Sequence, residues 1–528
     1  MKTSIFLLCV AILDHFAVNA QNNFSFGTPV AMGYQKLGAA KGTAGTIGDN
    51  YYVLENDYGG AFDFNNNIRT IVTAFSISEG KFKNRFNLNE MVANSRKEMN
   101  KILFCDVIAW KDKLVGFYTY KNASGKNFLA SGIVCDANGK LIKSDIDIGD
   151  FQHNYQNGSF LWQGGLLVNG RNTLSVVKDF QYRMIPDSSK IVVLCSPLEN
   201  SGNVRFKTYD NNLVMQKEIT ATIPLQSKVA DMIDFGMDNN GYLYILTKSN
   251  KSKAERKKVS DDDDYFYELH VINTKDNNKA KTIPLDFPDR GIVNMELIIK
   301  NDNQVFCFGN CWNINNKKSA GRITGVFSAY INNSSSIGEV AKSTYDLPDS
   351  VFETVSFDKK EKKENKNGLV SKFTPYQAFP DNEGGMYVIM VNEVVDVFVQ
   401  GSTGAMNQYS ELTKSFIISY IKPNKKIKWS VGWGELARNP QGLTRKDRTC
   451  FLVKGSTLFG VYIGGQKQFY KRVFNKETGA FPEGLIGSFR DPYGAFKQLE
   501  KSVMPISNNE FAIITFANQL SLGKFKIE

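Results

Sequence analysis

The 528-residue chain has a formal net charge of +11 and is 42% hydrophobic and 12% aromatic, enough apolar side chain for a large core and too much for a disordered chain. Its 64 Lys and Arg and 53 Asp and Glu are spread along the length and form no basic stripe with interleaved aromatics, which argues against a nucleic-acid surface. Beyond the first twenty residues no stretch of eighteen uninterrupted apolar residues occurs, so no transmembrane helix is expected.

The chain opens with MKTSIFLLCVAILDHFAVNA (1–20), with a lysine near its start, an apolar run from Ile5 to Leu13 and a small-residue end at Val18-Asn19-Ala20. This predicts a secretory signal peptide cleaved before Gln21, too short and too interrupted by Asp14 and His15 for a membrane span. Cys9 follows Leu8 early in the apolar run, so no lipid anchor is expected. The predicted product is exported and soluble, in the periplasm or at the cell surface.

Next comes FSFGTPVAM, Phe24 to Met32, a strand with no evident partner nearby. A polar turn followed by an alternating aromatic or β-branched run then recurs in IGDNYYVL (47–54), WKDKLVGFYTY (110–120), PDSSKIVVL (186–194), MDNNGYLYIL (237–246), KNDNQVFCF (300–308), PDNEGGMYVIM (380–390), VKGSTLFGVYI (453–463) and ISNNEFAII (506–514). The spacing is loose, about 50 to 80 residues, but it persists along the chain. Long helical patterns are almost absent; LNEMVANSRKEMN (88–100) reads as a short surface helix.

A second family of turns interleaves with the first at 76–83, 133–142, 207–215, 271–283, 329–338, 419–429 and 472–481. It lacks an eighth member, because the chain ends at LGKFKIE, where the third strand of the last unit should stop. Four strands per unit and an unpaired final strand predict an all-β fold, a β-propeller of four-stranded blades closed by the N-terminal strand. Eight blades are expected over a single domain from 21 to 528, with seven as the alternative if the residues after Ser488 form only a closing hairpin. Two β-sandwich domains are a competing arrangement, and a solenoid would need terminal caps that the sequence does not show.

In this layout the mature chain resembles secreted bacterial β-propeller proteins. It has no repeated Trp-Asp ending, no repeated Ser-x-Asp-x-Gly-x-Thr-Trp box and no kelch double glycine.

Both turn families join strands at one side of each predicted blade, whereas insertions gather at the other side: 56–67, 250–264, 310–322, 356–368, 394–414 and 432–448. Long connections on a rigid scaffold are where binding residues concentrate. Tyr58, Phe62, Phe64, Trp312, Tyr409 and Trp433 offer flat surfaces for sugar rings or protein side chains, and Arg438, Arg445 and Arg448 offer planar forks for carboxylate or sulfate. The charged tracts Lys251–Lys258, Asp261–Asp264 and Lys359–Lys366 lack apolar anchors and read as solvated loops.

Catalytic signatures are sparse. Only His153 and His270 remain after the signal, with no G-x-S-x-G elbow and no H-E-x-x-H pair. His270 lies in YFYELHVINT and reads as a strand residue. Cys307 and Cys311 could pair only if the chain turned at Gly309-Asn310, since an extended strand holds them too far apart. Asp57, Asp63 and Glu435 could flank a glycosidic bond if brought together. Asp238-Asn239-Asn240-Gly241 has too few spaced ligands for calcium and, as one of eight equivalent turns, shapes the backbone. The sequence therefore points to a non-catalytic binding or assembly module for protein or glycan. A carbohydrate-active hydrolase or lyase using acidic or tyrosine residues is the alternative. No cofactor, metal or nucleic acid is expected, and the protein is read as a monomer or part of a surface assembly.

Overall fold

A computed structural model of the protein describes residues 24–26, 28, 30–31, 38–57, 69–93, 102–121, 128–151, 181–196, 198, 201–226, 230–250, 265–276, 279–331, 340–356, 359–370, 373–402, 405–434, 450–463, 468–488, 497–498, 503–507, 510–516 and 519–526. The fold is an eight-bladed β-propeller. Seven four-stranded antiparallel blades run in chain order over 38–87, 103–151, 182–222, 230–284, 290–346, 374–434 and 450–488. The eighth is built from Lys497–Gln498 and Met504–Pro505, Glu510–Phe516 and Gln519–Lys526, and the N-terminal segments Phe24–Phe26 and Val30–Ala31 complete it. Phe24 lies opposite Phe525 in the antiparallel register. The expected closing strand is present, and the segment after Ser488 is part of a full blade.

By internal packing the chain divides into two compact units. One comprises Met1–Val177, Arg445–Asn475 and Ala480–Glu528; the other comprises Lys178–Thr444 and Lys476–Gly479. The first holds blades one, two and eight with most of blade seven, and the second holds blades three to six.

Within each unit the core lies between the facing sheets of consecutive blades. Val192, Leu194 and Phe206 of blade three meet Phe235, Leu243 and Ile245 of blade four. On its other face blade four presents Tyr244, Leu246 and Leu269 to Met295, Val305 and Phe327 of blade five. A strand covered on both faces needs apolar residues at successive positions, which explains why Ile191–Leu194 and Leu243–Leu246 are continuously apolar and continuously buried. Each such side chain contributes roughly 1.5–3 kcal/mol when fully buried. Two separate sandwiches would have left one face of each sheet to water, so this double burial decides between the two arrangements.

Four of the turns share one local device. In Asp136-Ala-Asn-Gly-Lys, Asp210-Asn-Asn-Leu-Val, Asp238-Asn-Asn-Gly-Tyr and Asp381-Asn-Glu-Gly-Gly the aspartate accepts the backbone N–H of residue i+2 at 2.8–3.0 Å and of residue i+4 at 2.7–3.0 Å through Oδ1. Residue i+3 takes a positive φ in each: Gly139, Leu213, Gly241 and Gly384. Gly241 adopts this conformation at φ +88 without steric cost. Leu213, at φ 52, is almost wholly buried, so side-chain burial offsets its backbone strain. In the Asp238 turn the second carboxylate oxygen accepts the Tyr244 hydroxyl at 3.0 Å.

Several insertions differ from expectation. Residues 394–414 form the outer part of one long β-ribbon, Met386–Ser402 paired with Ala405–Ile421; in-register pairing simply continues past the blade. The Lys/Glu tract forms the short helix Lys359–Glu364, with no buried residue and a Lys360–Glu364 pair at 3.9 Å. Buried Asn365 anchors its end, donating to Ser356 Oγ at 2.8 Å and accepting from Val370 N at 3.1 Å. The helix before it, Asp349–Val355, buries Val351 and Val355 against Gly432 of blade six, where any side chain would meet Val355 Cγ1 at 3.0 Å. The expected surface helix is observed as Leu88–Ala93: Glu90 is exposed, while Leu88 and Val92 pack between blades one and two. Cys307 and Cys311 lie on one extended strand as free, buried thiols, and burial pushes Cys311 up to about 12.

Replacing Asp238 with alanine removes the acceptor for two backbone N–H groups and the Tyr244 hydroxyl at a site 1% exposed. Urea unfolding of Asp238→Ala is expected to show a loss of about 2–4 kcal/mol, since unsatisfied buried donors cost about 1–3 kcal/mol each with partial relaxation. A loss below about 0.5 kcal/mol would contradict this role for the turn.

Candidate functional site

The two sides of the blades differ in what their connections do. On the short-turn side, the turns bind one another. Asn239 accepts from Asp187 N at 2.9 Å and donates through Nδ2 to Asn301 O at 2.9 Å, while its own N–H reaches Asn303 Oδ1 at 2.9 Å. In blades one and two, the Tyr52 hydroxyl and Asn50 Nδ2 both donate to Ala137 O, at 2.6 and 3.1 Å. Lys476 Nζ, in the turn between the third and fourth strands of blade seven, lies 2.8 Å from both Asp381 Oδ2 and Glu383 Oε2 of blade six. Donors and acceptors on this side are largely engaged in holding blade to blade.

On the opposite side, where blades are linked and second strands connect to third strands, the second unit contains a cavity of about 280 Å³. Its wall comes from the start of the third strand of blade four, the link Pro284 to Arg290, and the start of blade five. Half-buried Tyr265 and Phe266, together with buried Leu285, Phe287 and Ile292, give it an apolar body. Pro284 and Pro288 stiffen the link that frames it.

Three ionisable groups line this cavity, in different states. Asp286 accepts from Lys342 Nζ at 3.0 Å, and that bond holds its carboxyl below the usual range. Arg290 grips Asp346 with both guanidinium nitrogens, at 2.5 and 3.1 Å, which raises its affinity for the proton further. Glu268 is the exception. It is 2% exposed, its Oε1 accepts from the exposed side chain of Gln226 at 2.8 Å, and its enclosed Oε2 has no hydrogen-bond partner among the described residues. Burial raises the Glu268 carboxyl above its ordinary range, opposed by the Gln226 bond. Lys248 Nζ stands 3.6 Å from the centroid of the Tyr265 ring, a cation–π geometry.

Trp312 and Trp433 are fully buried, so they are core residues and not contact surfaces: Trp312 lies opposite Gly291 in the ladder of blade five, behind the cavity wall, and Trp433 packs 6.1 Å from Phe416. The apolar demand of a doubly covered sheet explains both. Tyr409 lies on the outer ribbon in register with Phe398. Tyr58, Phe62, Phe64, Arg438, Arg445 and Arg448 lie outside the described residues, as do the expected signal peptide 1–20, His153, Asp63, Glu435 and the tract 251–264. Sequence reasoning passed over Glu268. The available signal was a carboxylate flanked by apolar residues in YFYELHVIN, two positions before the histidine that drew attention.

His270 is a strand residue, as expected. It is fully buried, with Nε2 3.0 Å from Thr247 Oγ1 and Nδ1 2.9 Å from Thr282 Oγ1. Both ring nitrogens are engaged by hydroxyls, which leaves none for a substrate. Among the described residues no group of three or more His, Cys, Asp or Glu is placed to hold a metal ion, and no helix is long and apolar enough to cross a membrane.

No protein-family model and no curated protein matches the chain. Solved structures similar to it include two described as propellers and one as a WD40 domain. The Dos1 propeller is 9% identical, with 92% of this chain and 94% of that chain covered and a TM-score of 0.40. The WD40 domain of SCAP from fission yeast is 9% identical, with 95% and 96% covered and a TM-score of 0.35. Prolyl oligopeptidase B from Galerina marginata is 11% identical over 94% of this chain and 56% of its own, with a TM-score of 0.39.

The buried pair Glu268 and His270 makes stability depend on pH in opposing senses. Burial lowers His270 to about 4, so below pH 6.5 the unfolded chain takes up a proton that the folded chain refuses. This contribution makes stability rise with pH between about 4 and 6.5, by up to about 3 kcal/mol. Glu268, raised in the fold, acts the other way: its contribution is full below the unfolded carboxylate range and is lost as pH rises through its folded value. His270→Gln is therefore expected to flatten the decline in stability from pH 6.5 to 4, measured by urea midpoints. An unchanged slope would show that His270 titrates freely.

Proposed function

We propose that the chain is a non-catalytic binding module that engages protein or glycan on the side of its blade links and second-to-third connections. The observation that carries this reading is the contrast between the two sides. The short turns use their polar groups on one another, whereas the link side carries an open cavity, an exposed charged helix and a ribbon that extends beyond its blade. Binding sites form where a rigid scaffold leaves concave surface and unused polar groups. Export to the periplasm or cell surface, as the N-terminal twenty residues suggest, would place this side in contact with surface glycans and exported proteins.

A second reading, glycoside hydrolysis, rests on Glu268 and Asp286 lining one cavity with affinities for the proton pushed in opposite directions, the pattern that separates an acid from a base. The Lys342 bond to Asp286 favours binding over this chemistry, because it occupies the carboxylate that would have to act.

The test is to screen the full chain against arrayed glycans and purified exported proteins, then map any hit with three variants. Replacing 393–414 by a tight turn, or Tyr265→Ala, is expected to weaken binding at least tenfold, and Lys426→Ala on the short-turn side to leave it unchanged. Binding that is lost only with Lys426→Ala, or steady release of sugar from a bound glycan, would overturn the proposal.

A further inference from the structure

The cavity between blades four and five specifies its ligand more closely than the binding side as a whole. Among the described residues an inorganic anion finds no uncommitted cation on the wall, because Arg290 is matched to Asp346, and nearby Lys342 is matched to Asp286. A cation would approach Lys248 over Tyr265 and Lys342 near Phe287 and be repelled by both. The wall does offer a carboxyl short of donors. One oxygen is served only by a side chain from the exposed surface, and the other by nothing among the described residues. A ligand hydroxyl at Glu268 Oε1 would replace the Gln226 bond, and the unpartnered Oε2 marks a carboxyl whose acceptor capacity the fold does not use up. Around that carboxyl the wall is aromatic and aliphatic, suited to the apolar face of a ring. The volume of about 280 Å³ falls just below the ~300–1,000 Å³ range of pockets for drug-sized ligands, so it suits a single ring.

We infer that this cavity binds one neutral, hydroxyl-bearing ring the size of a single sugar unit, with Glu268 accepting from a ring hydroxyl and Gln226 yielding its place on that carboxyl when the ligand enters. Tyr265, half-buried at the mouth, bounds the apolar face of the ring. This rests on the link side being the binding side and names the chemistry of one subsite there.

The experiment is saturation-transfer NMR on the full chain with methyl glycosides of glucose, galactose, mannose and N-acetylglucosamine, with butylammonium and inorganic phosphate as competing probes. At least one glycoside is expected to bind in the millimolar range and not to be displaced by either competitor. Glu268→Gln should weaken it about tenfold, by placing a donor where an acceptor is needed, and Tyr265→Ala by a similar factor. Gln226→Ala, at an exposed position, should tighten it two- to tenfold by removing the internal competitor, an effect that a purely structural role for Glu268 does not produce. Thermal midpoints identify any variant that fails to fold; Gln226→Ala alone then decides the matter. Absence of binding by all four glycosides, displacement by butylammonium, or weaker binding in Gln226→Ala would overturn the inference. If no glycoside binds but Tyr265→Ala still weakens a protein partner, the sugar chemistry fails and the binding side stands.

Discussion

The apolar contact between the faces of consecutive blades is the constraint from which the other features follow. Because blade four is covered on both faces, its second strand cannot alternate apolar and polar residues and becomes the unbroken buried run Leu243–Leu246. Polar residues are then few in such a run and gather at its ends and in the connections. The chemistry of this protein is therefore the chemistry of its connections, and the few polar side chains enclosed within the sheets, such as His270 between two threonine hydroxyls, must be satisfied internally.

The connections divide the work. A short turn built on an aspartate and a left-handed residue presents its remaining polar atoms at fixed positions, and the neighbouring blade uses them. Asn239 alone joins the turns of three blades. The links on the other side vary in length and have no common geometry, so they cannot form such a lattice. What they form is surface relief: a cavity framed by prolines, a helix packed over Gly432, a ribbon running past its sheet. Charges around the cavity are paired locally, Arg290 with Asp346 and Lys342 with Asp286, which leaves Glu268 as the chemically distinctive group.

The architecture was legible because it rests on local and repeated signals. Turn residues such as those of Asp238 to Gly241 recur at corresponding positions, and the absence of an eighth second-family turn indicated that Phe24 to Met32 completes the last blade. The candidate site was less legible. An exposed tryptophan and a tryptophan in a doubly covered strand have the same letter, and only packing shows that Trp312 and Trp433 are interior. The ribbon reads in sequence as an insertion because its strand pattern continues beyond the length of a blade. Glu268 escaped notice because its distinction is a missing partner, and a missing partner is a property of three-dimensional surroundings.

The pairing of Phe24 with Phe525 also sets an order of events. Two segments about five hundred residues apart must meet before the eighth blade is whole, and such closure carries an entropic cost that grows slowly with the length between them. Blades whose strands are neighbours in sequence can assemble locally as they emerge. The eighth cannot, and until the N-terminal segment docks, the strand Gln519–Lys526 presents an unpaired edge. The propeller is thus completed by an early segment meeting one made about five hundred residues later, and the interval before that meeting is when another chain could occupy the same edge.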